Sequence, residues 1–335
     1  MGKSKGEKNS RVGLFLLVSA AGLLVSVLLG ACLGASNIRL SELVSILLTG
    51  RSEDPLYRIL FTVRLPRVFG ALLAGSALAV SGAVIQSVLN NPLASPNIIG
   101  VNSGAGLMVL LASAFLPPAP YILPMSAFLG ALWACLLVLA IAMGSRMSRL
   151  LLVLTGFVVN SIFGAGMNTI MILYPDAYVG AGNFLVGGLS AVTSDGLFYP
   201  SIFILTGFVL ALFCAKGLNI LNLGTDGARA LGMNVTMCRC LYLTVAAVLA
   251  GAAVSFAGLI GFVGLLVPHG VKLMIGQDNR FVIPACGLVG GMFVILCDLL
   301  ARTLFLPYEL PVGILMSFIG SPFFLYLILK NRRKG

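Results

Sequence analysis

Long apolar runs alternate with short polar connections along almost the whole chain. A helix needs about 20 mainly apolar residues to cross the hydrocarbon of a bilayer. Runs of that kind cover 12–34, 66–89, 98–116, 121–143, 150–173, 197–215, 238–257, 259–275, 281–304 and 311–329. The pattern predicts an all-α, polytopic membrane protein with about ten transmembrane helices in a single domain over 1–335. The seventh and eighth runs join through Gly258, with no polar connection to separate them. Two connections are long. In 216–239, the stretch Thr225 to Gly232 reads as a short helix that Thr225 or Asp226 can cap and Gly232 can end. The other, 175–196, is glycine-rich, lacks basic residues, and has room for a short helix beside an entrance.

Basic residues orient these helices. Lys3, Lys5, Lys8 and Arg11 precede the first run, which is too long for a signal-peptide core and lacks a clear cleavage site. Residues 1–11 are therefore expected as a cytoplasmic tail before a retained helix. Only Arg39, Arg51, Arg58, Arg64, Arg67 and Arg302 of the 21 Lys and Arg then fall outside. This asymmetry follows the positive-inside rule and puts both termini in the cytoplasm of a cell-membrane protein.

Composition narrows the function. Hydrophobic residues make up 59% of the chain and charged ones 9%, against about 25% charged in soluble domains. Forty glycines suit close helix packing. The net charge of +11 is spread over run ends and not along one stripe, so it points to lipid and not to nucleic acid. There is no phosphate-binding P-loop, since Gly2-Lys3-Ser4 has no upstream glycine or strand. His269 is the single histidine, which argues against a catalytic triad or a multi-histidine metal site. Cys238-x-Cys240 is the only close cysteine pair and has no further ligands nearby. None of the ten carboxylates falls at the predicted midplane, where ion-coupled transporters place them. Asp298 is the deepest, four residues before Arg302, and reads as structural. If the chain moves a solute uphill, the energy must then come from elsewhere.

Several stretches together resemble one family. These are Arg64-Leu-Pro-Arg67 with Gly75, Ser81-Gly82-Ala83, Gln86, Asn91-Pro92-Leu93-Ala94, Pro96 and Gly100 to Gly106; Leu223-Gly224 with Ala228 to Gly232; Gly258 to His269 with Lys272, Gly276, Asp278 and Arg280; Glu309 to Gly313; and Gly320-Ser-Pro322. In this order, over nearly the whole chain, they resemble the ABC importer permeases for iron–siderophore, haem and cobalamin. Lys272 and Asn279 depart from the arginine and histidine common there.

The resemblance implies a permease, not an enzyme, that assembles with a second permease subunit, ABC ATPase subunits and an extracytoplasmic substrate-binding protein. It carries no cofactor, because ATP and Mg are held by the ATPase. Gly224, Asp226, Ala228, Arg229, Leu231 and Gly232 would form the coupling helix that meets the ATPase. Arg64, Arg67 and Arg302 would dock the binding protein, with headgroup anchoring as the other reading. Asn160, Ser161, Gly164, Met167, Asn168 and Met171 on the fifth helix would line the path, with helix packing as the other reading. Ser145 and Ser148 would belong to a cytoplasmic gate. Pro268 would kink the eighth helix and His269 satisfy the freed backbone groups. The expected cargo is an iron(III)–siderophore, with haem or cobalamin as alternatives. Outside this family, an ion-coupled secondary transporter is the main competing class.

Overall fold

A computed structural model describes residues 5–34, 39, 41–42, 55–143 and 148–332. These residues form helices joined by short connections, with no strand among them. The helices are α1 (Lys5–Cys32), α2 (Pro55–Leu89), α3 (Val101–Phe115), α4 (Ile122–Met143), α5 (Arg149–Leu173), α6 (Pro175–Val186), α7 (Ser194–Leu221), α8 (Thr225–Ala230), α9 (Val235–Ala257), α10 (Val263–Ile275), α11 (Asn279–Thr303) and α12 (Val312–Arg332). Seven of them are long and apolar enough to cross a membrane, and α3, α10 and part of α12 are shorter apolar helices. These ten match the ten runs read from the sequence. The two extra helices, α6 and α8, fall inside the two long connections.

Three boundaries differ from the sequence reading. The second helix starts at Pro55 and not near residue 66. Its stretch Ile59–Arg64 is π-helical, and this wider winding precedes Pro66, which has no N–H to give the preceding turn. The connection expected over 216–239 shrinks to 222–234, because α7 continues through the buried Leu218 and Leu221 and α9 begins at Val235. Neither Thr225 nor Asp226 caps α8 through its side chain.

Burial grades the bundle. The central spans α2, α9 and α11 are 78%, 72% and 67% buried in their apolar windows, whereas α1, α5 and α7 are 17%, 28% and 28% buried. In lipid, apolar burial does not drive helices together, so close backbone approach and internal hydrogen bonds must. α2 supplies both. A Cβ at Gly75 would land on the Gly290 carbonyl of α11, and one at Gly82 on the Gly264 carbonyl of α10. Ser76 Oγ donates to Gly287 O of α11 and Ser81 Oγ to Ala246 O of α9, each at 2.7 Å.

Irregular backbone inside the bundle is held by protein groups, as a lipid environment demands. Between α2 and α3, residues 96–99 form a 3-10 turn against α5. Gly156 leaves space for the Ile98 carbonyl, and Asn160 Nδ2 donates to Asn97 O at 2.8 Å. Between α9 and α10 the chain turns at Gly258 (φ +71°). There Leu259 N–H donates to Phe184 O (3.0 Å) and Gly188 N–H to Ala257 O (2.9 Å), which ties α6 to this break.

Candidate functional site

α8 projects from the end of the bundle that carries Arg229. Gly224 has φ +98° and ψ 168°, a region essentially restricted to glycine, and starts the helix. Gly232 ends it at φ +79°, with Gly232 N–H bonded to Arg229 O (2.8 Å) and Met233 N–H to Ala228 O (3.1 Å). This is a Schellman stop. Ala228 is fully buried, while Asp226, Arg229 and Leu231 are exposed. The predicted coupling residues thus form one unit: two conformation-setting glycines, one buried alanine and three side chains that reach the surface. Thr225, relieved of a capping role, accepts from Arg239 Nη2 of α9 at 2.9 Å.

Behind α8 lies a polar hub, of which the sequence motifs mark Asp278, Asn279 and Arg280 but not Asn219 or Ser87. Asn219, in the last turn of α7, donates from Nδ2 to Asp278 Oδ1 (2.7 Å). Its Oδ1 accepts from both the backbone N–H (2.8 Å) and Nδ2 (3.0 Å) of Asn279, the first residue of α11. Ser87 Oγ of α2 donates to Asn279 Oδ1 at 2.9 Å. Asp278 also caps α11 by accepting from Arg280 N–H. The Arg280 side-chain hydrogen bond, partly offset by burial and supported by Asn219, pulls the Asp278 carboxyl down to about 2. No local signal identifies Asn219, because its partners lie about sixty residues away in sequence. Alongside, Lys272 Nζ donates to Gln86 Oε1 (3.1 Å), and Gln86 Nε2 donates to Leu265 O (3.2 Å). His269 makes no hydrogen bond among the described residues, so backbone support near Pro268 comes from Gln86 and not from the expected histidine.

The arginines expected to dock a binding protein lie at the opposite end of the bundle. Arg64, Arg67 and Arg302 are only 4%, 7% and 4% exposed, and their described hydrogen bonds run inward. Arg67 Nε bonds both oxygens of Asp298 (3.1 and 3.0 Å), and its Nη1 meets Glu309 Oε2 at 2.6 Å. Arg302 Nε lies 3.9 Å from Asp298 Oδ2. Arg64 Nη1 donates to Ala31 O and Cys32 O at 2.9 Å each, and Arg302 Nη2 to Gly30 O. The physical reason is the C-terminus of α1. Its last carbonyls lack intrahelical partners and carry partial negative charge, so guanidiniums fold in to satisfy them. The structural reading of Asp298 agrees with this arrangement.

The expected path residues divide. Ser161 and Asn168 are exposed on α5, and a Cβ at Gly164 would meet nothing within 4 Å. These three form an open stripe of small and polar groups. The Asn160 amide donates to Asn97 O and accepts from Ser103 Oγ. Met167 packs against Gly106 of α3, and Met171 is half-buried against the core. Of the two gate serines, Ser145 lies outside the described residues. Ser148 caps α5 by accepting from Leu151 N–H at 3.1 Å. Among the described residues, no group of three or more His, Cys, Asp or Glu could hold a metal ion.

Comparison with known proteins adds a second line. The model of the FecCD transport family matches residues 22–330. The chain is 36% identical over 320 residues to the hemin transport system permease protein HmuU of Yersinia pestis, covering 93% of this chain and 96% of that protein. It is 36% identical over 322 residues to the Fe(3+)-citrate import system permease protein YfmD of Bacillus subtilis, covering 96% of this chain and 94% of that one. It is also 36% identical over 324 residues to the iron(3+)-hydroxamate import system permease protein FhuB of Bacillus subtilis, covering 96% of this chain and 83% of that one. A solved structure of a metal-chelate type ABC transporter in an inward-facing conformation superposes with a TM-score of 0.84 at 29% identity, covering 94% of this chain and 98% of that one.

Proposed function

The chain belongs to the FecCD transport family, and from that premise we propose that it is the permease for an iron(III)–siderophore, driven from the cytoplasm through α8. That it is a membrane permease of the metal-chelate ABC importer family, and not an enzyme, follows from the family match and the close relatives. The finer reading concerns cargo, orientation and the role of each site.

The observation that carries the coupling role is the construction of α8. A six-residue helix held between two positive-φ glycines presents Arg229 and Leu231 outward while Ala228 anchors it inside. Such a rigid projection suits a groove on an ATPase, which also holds the ATP and Mg. Placing α8 in the cytoplasm agrees with the basic residues at that end and puts both termini inside the cell membrane.

Cargo is read from α5. Its open stripe offers a hydroxyl, an amide and a glycine, with neither thiolate nor carboxylate, next to the exposed Phe157 and Ile162. Hard Fe(III) favours oxygen ligands, so this surface suits a chelate whose own groups enclose the metal. On this reading the stripes of two permease subunits face each other across the path, and a binding protein delivers the chelate from outside. Among relatives, ferric hydroxamate and ferric citrate proteins stand beside a hemin protein, and the small polar stripe favours the former pair.

The test is uptake by vesicles containing the complete transporter, offered ferric hydroxamate, ferric citrate, haem and cobalamin in competition. The reading predicts that a ferric siderophore is accumulated and that the other cargoes compete weakly. Accumulation of haem or cobalamin alone would contradict it.

A further inference from the structure

α2 and α11 run antiparallel and are fastened at three levels. Arg67–Asp298 joins them at one end, the backbones of Gly75 and Gly290 touch in the middle, and Ser87–Asn279 joins them at the other. Such a pair resists sliding or separating, because each level would have to yield at once. A movement delivered to one end is therefore carried along its length.

α8 is short and packs on the end of α7 and the start of α9. Any displacement of α8 must leave through these two helices. On the α9 side the link is Arg239–Thr225. On the α7 side the chain runs straight back into α7, which carries Asn219 three residues before the C-cap Asn222. A single amide there reaches Asp278 and Asn279, and through Asn279 it reaches Ser87. Ser87 and Asn279 are almost completely buried, so their bonds cannot be exchanged for water without exposing the core. α7 is otherwise one of the least buried spans, which makes this polar contact a large part of its hold on α11 at this level.

We propose that Asn219 is a positioning residue that makes the α2–α11 pair follow α8, so that work done at α8 moves the pair as one body. This deepens the coupling role proposed above and rests on it. Asn219 meets neither cargo nor nucleotide. Its amide suits the task because it donates and accepts at once, binding a carboxylate and an amide of the same helix start.

The experiment uses the complete transporter in lipid discs, with Cys32, Cys214, Cys238 and Cys240 replaced by serine and spin labels at Ala230→Cys on α8 and Gln277→Cys beside the start of α11. Label distances are measured without nucleotide and with ATP plus vanadate. A second pair, Ala230→Cys with Leu150→Cys on α5, reports whether α8 moves at all. The proposal predicts a nucleotide-dependent change for the second pair and a constant distance for the first. Asn219→Leu should make the first distance change with nucleotide and lower uptake per ATP hydrolysed roughly tenfold, within the range for residues on a coupling route. Ser87→Ala, which keeps the α7–α11 bonds, serves if Asn219→Leu does not fold. It should leave the α8–α11 distance constant while lowering uptake per ATP by a smaller factor.

A nucleotide-dependent α8–α11 distance in the unsubstituted hub would overturn the proposal and leave the coupling role standing. So would an Asn219→Leu transporter whose label distances and uptake match those of the parent. No movement of α8 in the second pair would overturn both. Unchanged uptake per ATP in both hub variants would also remove the transmission role.

Discussion

The two ends of the α2–α11 pair are joined by different chemistry. At one end Arg67 and Arg302 flank Asp298, with Glu309 at the edge, and the last carbonyls of α1 take up Arg64 and the remaining donor of Arg302. At the other end the bonds between the helices are made by neutral groups, Ser87, Asn279 and Asn219, with Asp278 and Arg280 at the margin. Buried charge is costly to leave without a partner, so the ionic end resists any rearrangement that opens it. A hydroxyl–amide bond between neutral groups is weaker than an ion pair, although its buried partners still hold each other. The difference points to a division of labour. The ionic end holds α1, α2 and α11 together, and the neutral end is where α7 can pull.

That comparison is most exposed at Asp298. Asp298→Asn leaves Arg67 with Glu309 alone and Arg302 with no carboxylate, and should cost about 3–5 kcal/mol of stability. Ser87→Ala removes one neutral bond and should cost only about 0.5–1.5 kcal/mol. Thermal melts of the detergent-purified protein measure both, and equal losses would erase the distinction between the ends. Next in size is Gly75→Ala, where the added methyl meets the Gly290 carbonyl. Overpacking of this kind costs about 1–3 kcal/mol. Amide exchange should show protection lost along α2 and α11 together, and a loss confined to one helix would argue against a single rigid pair.

The smallest effect is electrostatic. Asp278 is held at about 2 in the folded protein against an ordinary value of 3.8. A carboxyl depressed by folding contributes stability that is fully present above the ordinary value and is lost as pH falls through the folded one. Melting temperature should therefore drop between pH 3.8 and about 2. Asp278→Asn should flatten that part of the profile, and a profile unchanged by the substitution would contradict the role of Arg280 and Asn219 in holding the charge.

The ten apolar runs are readable because hydrocarbon demands long apolar stretches, although α3 and α10 form shorter helices. α8 is readable because Gly224 and Gly232 mark its ends and a short polar stretch lies between them. The burial of the arginine cluster is not legible in sequence for a physical reason. Arg64, Arg67 and Arg302 lie at run ends, where charge normally points to water, and nothing local in sequence announces that Asp298 and the end of α1 converge on them. Asn160 is similarly ambiguous. Its four-residue spacing from Gly164 and Asn168 is real, but the 3-10 turn at 96–99 occupies its amide. Asn219 is invisible in sequence on the same grounds, since its chemistry exists only where α7 meets α11.

The central claim is that this polypeptide supplies a path and a transmission while a separate ATPase supplies energy. It is tested most directly in sealed vesicles that contain the permease with or without its ATPase subunits, by following ferric siderophore and phosphate release together. The account predicts accumulation only when the ATPase is present and hydrolysing ATP, and loss of accumulation when Gly224 and Gly232 are both replaced by alanine. Accumulation by the permease alone, with no nucleotide hydrolysed, would contradict it.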